Sequence, residues 1–159
     1  MTTETALVAA PAEVDDTPIL HVLFKVGDAH YALPASVVIQ METFTGATAV
    51  PGAPDFVAGI MQLRGRVVPV VDLRKRFGLP PGLASLETRV VVGQDKDRYV
   101  ALVADSAREV VRMMPSQLKP PPRLVDDSTG FVKAVAQLGE RTVMILDFAK
   151  VIGEERTDG

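Results

Sequence analysis

Leu63-Arg64-Gly65-Arg66-Val67-Val68-Pro69-Val70-Val71-Asp72 is the stretch on which the fold is read. It follows a second apolar run, Val57-Ala58-Gly59-Ile60-Met61-Gln62-Leu63, and the Arg64-Gly65 pair between the two predicts a pair of strands joined by a tight turn. Pro69 has no amide hydrogen to give to a ladder, which puts the second strand at a sheet edge or a bulge. After Asp72 come Leu73-Arg74-Lys75-Arg76-Phe77, then Gly78 and Pro80. That order predicts a short helical turn whose first amides are capped by the Asp72 carboxylate and which the glycine and proline stop.

The same order returns near the C-terminus, where Gly139 to Gly153 parallels Gly65 to Gly78. Six residues separate aspartate from closing glycine in both copies, 72 to 78 and 147 to 153. Aligned on its first glycine, the second copy has a strand one residue longer. On that alignment the Leu63-Arg64-Gly65 turn has no counterpart, because Leu138 passes directly to Gly139.

Upstream segments repeat as well. Leu20 to Val26, a turn at Gly27-Asp28, His30 to Leu33, Val37 to Phe44 and the loop Val50 to Pro54 are matched by Thr88 to Val92, a turn from Gly93 to Asp97, Tyr99 to Val103, Glu109 to Met113 and the loop Lys119 to Pro122, with Phe131 to Gln137 leading into the last turn. Short strands at regular intervals, in duplicate, predict an all-β chain of two five-stranded barrels, since closure removes exposed edges. The predicted organisation is a flexible tail over 1–18, one compact domain over 19–153 with barrel halves near 19–80 and 88–153, a polar linker from Pro81 to Glu87, and a tail over 154–159.

Composition narrows the function. A chain of 159 residues suits one domain. With 47% hydrophobic and 23% charged residues it has the balance of a folded protein. Cysteine is absent, which removes disulfides, thiolate chemistry and sulfur-ligated zinc, and two histidines cannot build an imidazole-rich metal site. A net charge of −3 without a basic block argues against nucleic acid. No apolar run approaches the roughly 20 residues of a membrane span. The N-terminus lacks a basic leader region, and Ala6 to Ala10 is too short for an export signal, so the expected location is the cytoplasm.

Catalytic constellations find little support. Asp72 and Asp147, one per copy, could form an acidic dyad, but their followers, Leu73-Arg74 and Phe148-Ala149, lack the small hydroxyl residue and glycine that hold such carboxylates together. Helix capping suits them better. Ser36, Ser85, Ser106, Ser116 and Ser128 lie in no nucleophile elbow, His21 sits inside an apolar strand, and His30 flanks a turn. No Gly-rich phosphate loop exists. Arg64, Arg66, Arg74, Lys75 and Arg76 form a basic cluster that Asp72 interrupts, which reads as a solvated, partly paired face. The sequence therefore predicts no catalytic residue, no cofactor and no metal, and a binding module rather than an enzyme.

Val57 through Pro80 resembles the G-x-x-x-L-R-G-x-x-x-P-[VI]-[VI]-D-L-[RK]-x-[RK]-[FL] core of the CheW family of bacterial chemotaxis coupling proteins, and the similarity runs from about Leu20 to Gly153. The resemblance implies two SH3-like five-stranded barrels with short helical turns. It implies a scaffold that bridges the cytoplasmic tips of chemoreceptors to the regulatory domain of the histidine kinase CheA, with other CheW copies as further partners in arrays. A homologue serving twitching motility or a second-messenger output would carry the same core, and an acidic-dyad enzyme is the alternative of a different class.

Carried over by position, the resemblance implies a receptor-binding groove between the barrels made by Val38, Gln40, Met41, Leu63, Arg64, Gly65 and Val110. Two departures stand out. Gln40 occupies a place where the family commonly has glutamate, so the charged pair expected between that place and Arg64 is lost and a neutral hydrogen bond is left. Ala107 replaces a larger aliphatic residue, which would widen or loosen the second barrel's side of the groove.

Overall fold

A computed structural model describes residues 17–122 and 130–153, so the tail expectations for 1–16 and 154–159 fall outside the described residues. The elements are β1 (Ile19–Val26), β2 (Ala29–Pro34), β3 (Val38–Thr43), β4 (Val57–Leu63), β5 (Arg66–Asp72), α1 (Leu73–Arg76), β6 (Arg89–Asp95), β7 (Arg98–Ala104), β8 (Ser106–Met113), β9 (Val132–Leu138), β10 (Arg141–Leu146) and α2 (Phe148–Ile152). They form two five-stranded sheets, ordered β8-β1-β2-β10-β9 and β3-β6-β7-β5-β4. Moving every strand number by five turns one order into the other. Each sheet also has one parallel pair at the same place, β2 with β10 and β7 with β5. The duplication is thus a property of the fold.

The sheets do not follow the chain halves 19–80 and 88–153. The first takes β1 and β2 from the first half and β8, β9 and β10 from the second, and the other sheet makes the reciprocal exchange. Strand composition reveals where strands lie but not whom they join. A parallel neighbour needs a long crossover, and here the intervening chain supplies it.

Both sheets curl toward their own edges. Thr48, just beyond β3, exchanges backbone hydrogen bonds of 2.8 and 2.9 Å with Ile60 on β4, and Lys119, beyond β8, does the same with Val135 on β9 at 2.9 and 2.8 Å. Gly59 owes its identity to that closure. Its φ is +147°, and a Cβ there would lie 2.1 Å from the Thr48 carbonyl oxygen.

The β4–β5 hairpin turns on two residues, Arg64 (φ 50°) and Gly65 (φ 79°), between the paired Leu63 and Arg66. Leu138 and Arg141 pair in the same way around Gly139 (φ 60°) and Glu140. Gly139 therefore stands at the place of Arg64, not of Gly65. The turn does have a counterpart and the last strand is not longer; only the arginine side chain is unrepeated. A left-handed residue is needed first in both turns, and glycine meets that need without strain while Arg64 does not.

Three apolar clusters fill the molecule. Leu23, Ala32, Met113, Ala136, Val143 and Ile145 pack inside the first barrel. Val68, Val70, Val90, Val92 and Ala101 pack inside the second. A larger cluster, including Phe24, Leu33, Val71, Leu73, Val91, Leu102, Ala107 and Leu146, joins the barrels. Adjacent residues such as Leu23 and Phe24, or Val70 and Val71, therefore enter different cores, which is why these strands read as continuous apolar runs. Fully burying one such side chain stabilises by about 1.5–3 kcal/mol.

The predicted caps form. The Asp72 carboxylate accepts from the Arg74 amide at 3.0 Å and the Lys75 amide at 3.4 Å, and Asp147 accepts from Lys150 at 3.3 Å. Each aspartate also donates its own amide to a phenylalanine carbonyl, Phe56 or Phe131, at 2.8 Å. Arg76 joins the two copies. Its guanidinium lies 3.9 Å from the Phe56 ring centroid and 4.8 Å from that of Phe131, and it donates to the Val151 carbonyl at 2.7 Å and the Lys150 carbonyl at 3.2 Å at the end of α2. The basic cluster is thus no uniform solvated face. Arg74 binds Asp105 through two nitrogens at 3.1 and 2.7 Å, and Arg66 stacks 3.9 Å over Tyr99. In the 81–87 linker, Leu83 and Leu86 are 98% and 93% exposed.

Candidate functional site

β3 and β8 hold equivalent edge positions, and both skip one residue in register at the same point. On β3, Val38 opposes Gly93 and Gln40 opposes Val92; on β8, Ala107 opposes Phe24 and Glu109 opposes Leu23. Val38 therefore corresponds to Ala107, Gln40 to Glu109, and Met41 to Val110. Side chains of paired residues share a face of the sheet, so the core that each partner enters shows which way each edge residue points.

Val38, Met41 and Val110 belong to the surface between the barrels. Val38 packs against the inter-barrel core, and Met41 opposes Val91 within it. Val110 opposes Val22, on the opposite side of β1 from the barrel-core residue Leu23. Met41 is 37% and Val110 54% exposed, an unusual placing for two apolar residues at duplicate positions. Ala107 is buried in the inter-barrel core itself.

Gln40, Leu63, Arg64 and Gly65 belong elsewhere. Gln40 and Glu42 oppose Val92 and Val90 of the second barrel's interior, and Leu63 packs on the same core. The seven residues expected in one groove thus divide into two groups: Val38, Met41 and Val110 face the surface between the barrels, and Gln40, Leu63, Arg64 and Gly65 lie at the rim of the second barrel.

At that rim Arg64 makes no charged pair with position 40, as expected, but forms an ion pair elsewhere. Arg64 Nη2 is 3.3 Å from Glu42 Oε2, and Gln40 Nε2 donates to the same oxygen at 2.9 Å. Glu42, the residue that sequence reasoning missed, stands two places beyond Gln40 and so on the same side of the strand, a spacing visible in the sequence. The first barrel carries a parallel device at shifted positions: Arg141, the counterpart of Arg66, donates to Glu109 at 2.6 Å. The hydrogen bond from Arg141 holds the Glu109 carboxyl below its ordinary range, against an opposing desolvation, with the arginine's charge adding to it. Each barrel therefore has a hairpin arginine tied to a carboxylate on the edge strand.

No titratable constellation suited to bond-breaking accompanies these residues. The Asp72 and Asp147 carboxylates are each turned onto their own helix. Among the described residues no group of three or more histidine, aspartate and glutamate side chains is placed to hold a metal ion, and no helix is long and apolar enough to cross a membrane. What the arrangement presents is two separate recognition features: exposed apolar side chains between the barrels and an oriented guanidinium at the second barrel's rim.

Residues 20–156 match the family model for the CheW-like domain. The chain is 27% identical over 148 residues to the chemotaxis protein CheW of Helicobacter pylori, covering 92% of this chain and 90% of that protein. It is 30% identical over 135 residues to that of Bacillus subtilis, covering 84% and 86%. In three dimensions it resembles the crystal structure of the scaffolding protein TtCheW from Thermoanaerobacter tengcongensis, with a TM-score of 0.78 at 28% identity, covering 84% of this chain and 92% of that one. The duplicated, strand-exchanged barrels, their arginine-tied edge strands and these similarities together establish that this chain belongs to the CheW-like family.

Proposed function

We propose that this protein is a chemotaxis coupling protein: a non-enzymatic scaffold in the cytoplasm that links the tips of chemoreceptors to the regulatory domain of a CheA-type histidine kinase. The observation that carries the proposal is the pair Met41 and Val110, which present apolar surface from equivalent places on the two edge strands. A receptor helix laying apolar residues between the barrels would bury both, with Val38 beneath, while Arg64 and Gln40 at the second barrel's rim supply polar contacts. Burial of that surface gives affinity, and the guanidinium gives direction. Pull-down with purified receptor cytoplasmic fragments and the cognate kinase tests this. Binding to both is expected, lost for receptor alone on Val110→Asp; binding to neither sinks the proposal.

A further inference from the structure

Two residues beyond Val110 on β8 stands Arg112, opposite Leu20 on β1, while Val110 itself opposes Val22. Val22 opposes in turn Leu33 of the inter-barrel core, so all four side chains share the face of the sheet that meets the second barrel. At the equivalent place on the second barrel Thr43 opposes Arg89, next to Met41 opposite Val91. Each barrel thus sets one arginine at the same strand pair, on the edge strand in the first and on its neighbour in the second.

The two arginines are in different states. Arg89 Nη1 donates to the Leu86 carbonyl at 2.7 Å and to the Thr88 carbonyl at 3.0 Å. Arg112 is exposed and has no hydrogen-bond or ion-pair partner among the described residues. Its neighbours on this face are apolar, with Leu20 48% and Val110 54% exposed. The chain carries 20 acidic residues against 17 basic ones, yet these four strand pairs hold two arginines and no carboxylate. A guanidinium without an internal partner gives up no bond when it takes an outside carboxylate, and apolar neighbours that exclude water strengthen such a pair.

We infer that Arg112 is a specificity-determining contact: the receptor helix laid over Met41 and Val110 continues over Leu20 and sets a carboxylate on the Arg112 guanidinium. The inference rests on the coupling function proposed above and adds the charge that the partner must carry. Geometry supplies the spacing. Residues two apart on a strand are separated by about 6.6 Å, and residues four apart on a helix by a rise of about 6 Å. A helix running along β8 therefore needs an aspartate or glutamate four positions from the apolar residue that covers Val110. Arg64 cannot stand in for this contact, being tied to Glu42 at the rim of the other barrel.

Titration calorimetry of the full chain with a purified chemoreceptor cytoplasmic fragment tests it, with circular dichroism to show that each variant is folded. Arg112→Ala should weaken fragment binding about fivefold to tenfold, and Arg112→Glu at least about thirtyfold. Arg112→Lys, which keeps the charge, should retain most of the affinity, and added salt should weaken wild type more than Arg112→Ala. Replacing the acidic residues of the fragment's tip by lysine one at a time should restore binding to Arg112→Glu at one position, four residues from an apolar one. If Val110→Asp loses the fragment while Arg112→Glu binds as tightly as wild type, this inference is overturned and the coupling function stands. Failure of every lysine replacement to rescue also overturns it, and a fragment that does not bind the wild-type chain overturns both.

Discussion

Arg64 Nη2 sits 3.3 Å from Glu42 Oε2, and Gln40 donates to that same oxygen from two residues away on β3. The Arg64 side chain is 77% exposed, so the pair adds little to folding; exposed pairs contribute about 0–1 kcal/mol. Its expected use is to hold the guanidinium in one direction. Arg64→Ala should weaken receptor-fragment binding by about 1–3 kcal/mol with the thermal midpoint nearly unchanged. Glu42→Gln should reproduce part of the loss. Titration calorimetry with both single variants and the double variant reads the coupling, and receptor affinity unmoved by Arg64→Ala would show an ordinary surface arginine.

Arg76 should matter for stability instead. It stacks on Phe56 and Phe131 and donates to two carbonyls at the end of α2. Loss of two charge-assisted hydrogen bonds and the stacking predicts about 2–4 kcal/mol for Arg76→Ala. Lysine keeps the charge but not the planar fork, so Arg76→Lys should recover less than half. Urea unfolding curves check both; equal stability of the three proteins contradicts the role.

Gly59→Ala is expected to cost about 2–4 kcal/mol, because a Cβ would fall 2.1 Å from the Thr48 carbonyl and the φ of +147° disfavours any side chain. Calorimetry should show the drop. Gly65→Ala, with nothing within 4 Å of its Cβ, carries only the backbone strain of φ 79° and should cost less.

His21 gives a pH dependence of definite sign. It is buried in β1, and desolvation lowers its pKa despite a hydrogen bond to the Ile19 carbonyl, with Lys133 also lowering it. The folded protein thus favours the neutral ring. Its contribution is present above the unfolded value of about 6.5 and is lost as pH falls through the lower folded value. The thermal midpoint should decline below about pH 6.5, and more steeply than in His21→Phe. Parallel curves for the two proteins would exclude His21 as the source.

Much of this architecture was legible from particular residues. Asp72 and Asp147 announced the two capped turns, but Pro69 pointed to an edge or a bulge, whereas β5 lies inside its sheet between β7 and β4 with Pro69 opposite Ile60 in regular register. Pairing was not legible: nothing in Tyr31 or Met144 advertises that they become neighbours across a parallel ladder. Aligning Gly139 with Gly65 misled because a glycine can serve either turn position, and only the pairing of Leu138 with Arg141 shows that Gly139 stands first. Gln40 directed attention to a missing charge, while the charge itself stood at Glu42, and the placing of Val38 and Gln40 on opposite faces of β3 depended on a skipped residue in its register.

The exchange of strands between halves has a consequence for how the chain can be handled and inherited. Cutting it between Pro81 and Glu87 would not release two barrels; β2 would be left without β10, and β5 without β7. Neither half carries all the strands of either sheet, and the final closing of the first sheet must await the synthesis of Arg141 to Leu146. Such distant pairings predict slow folding and a single cooperative unfolding transition. Loss of either half would remove strands from both sheets at once.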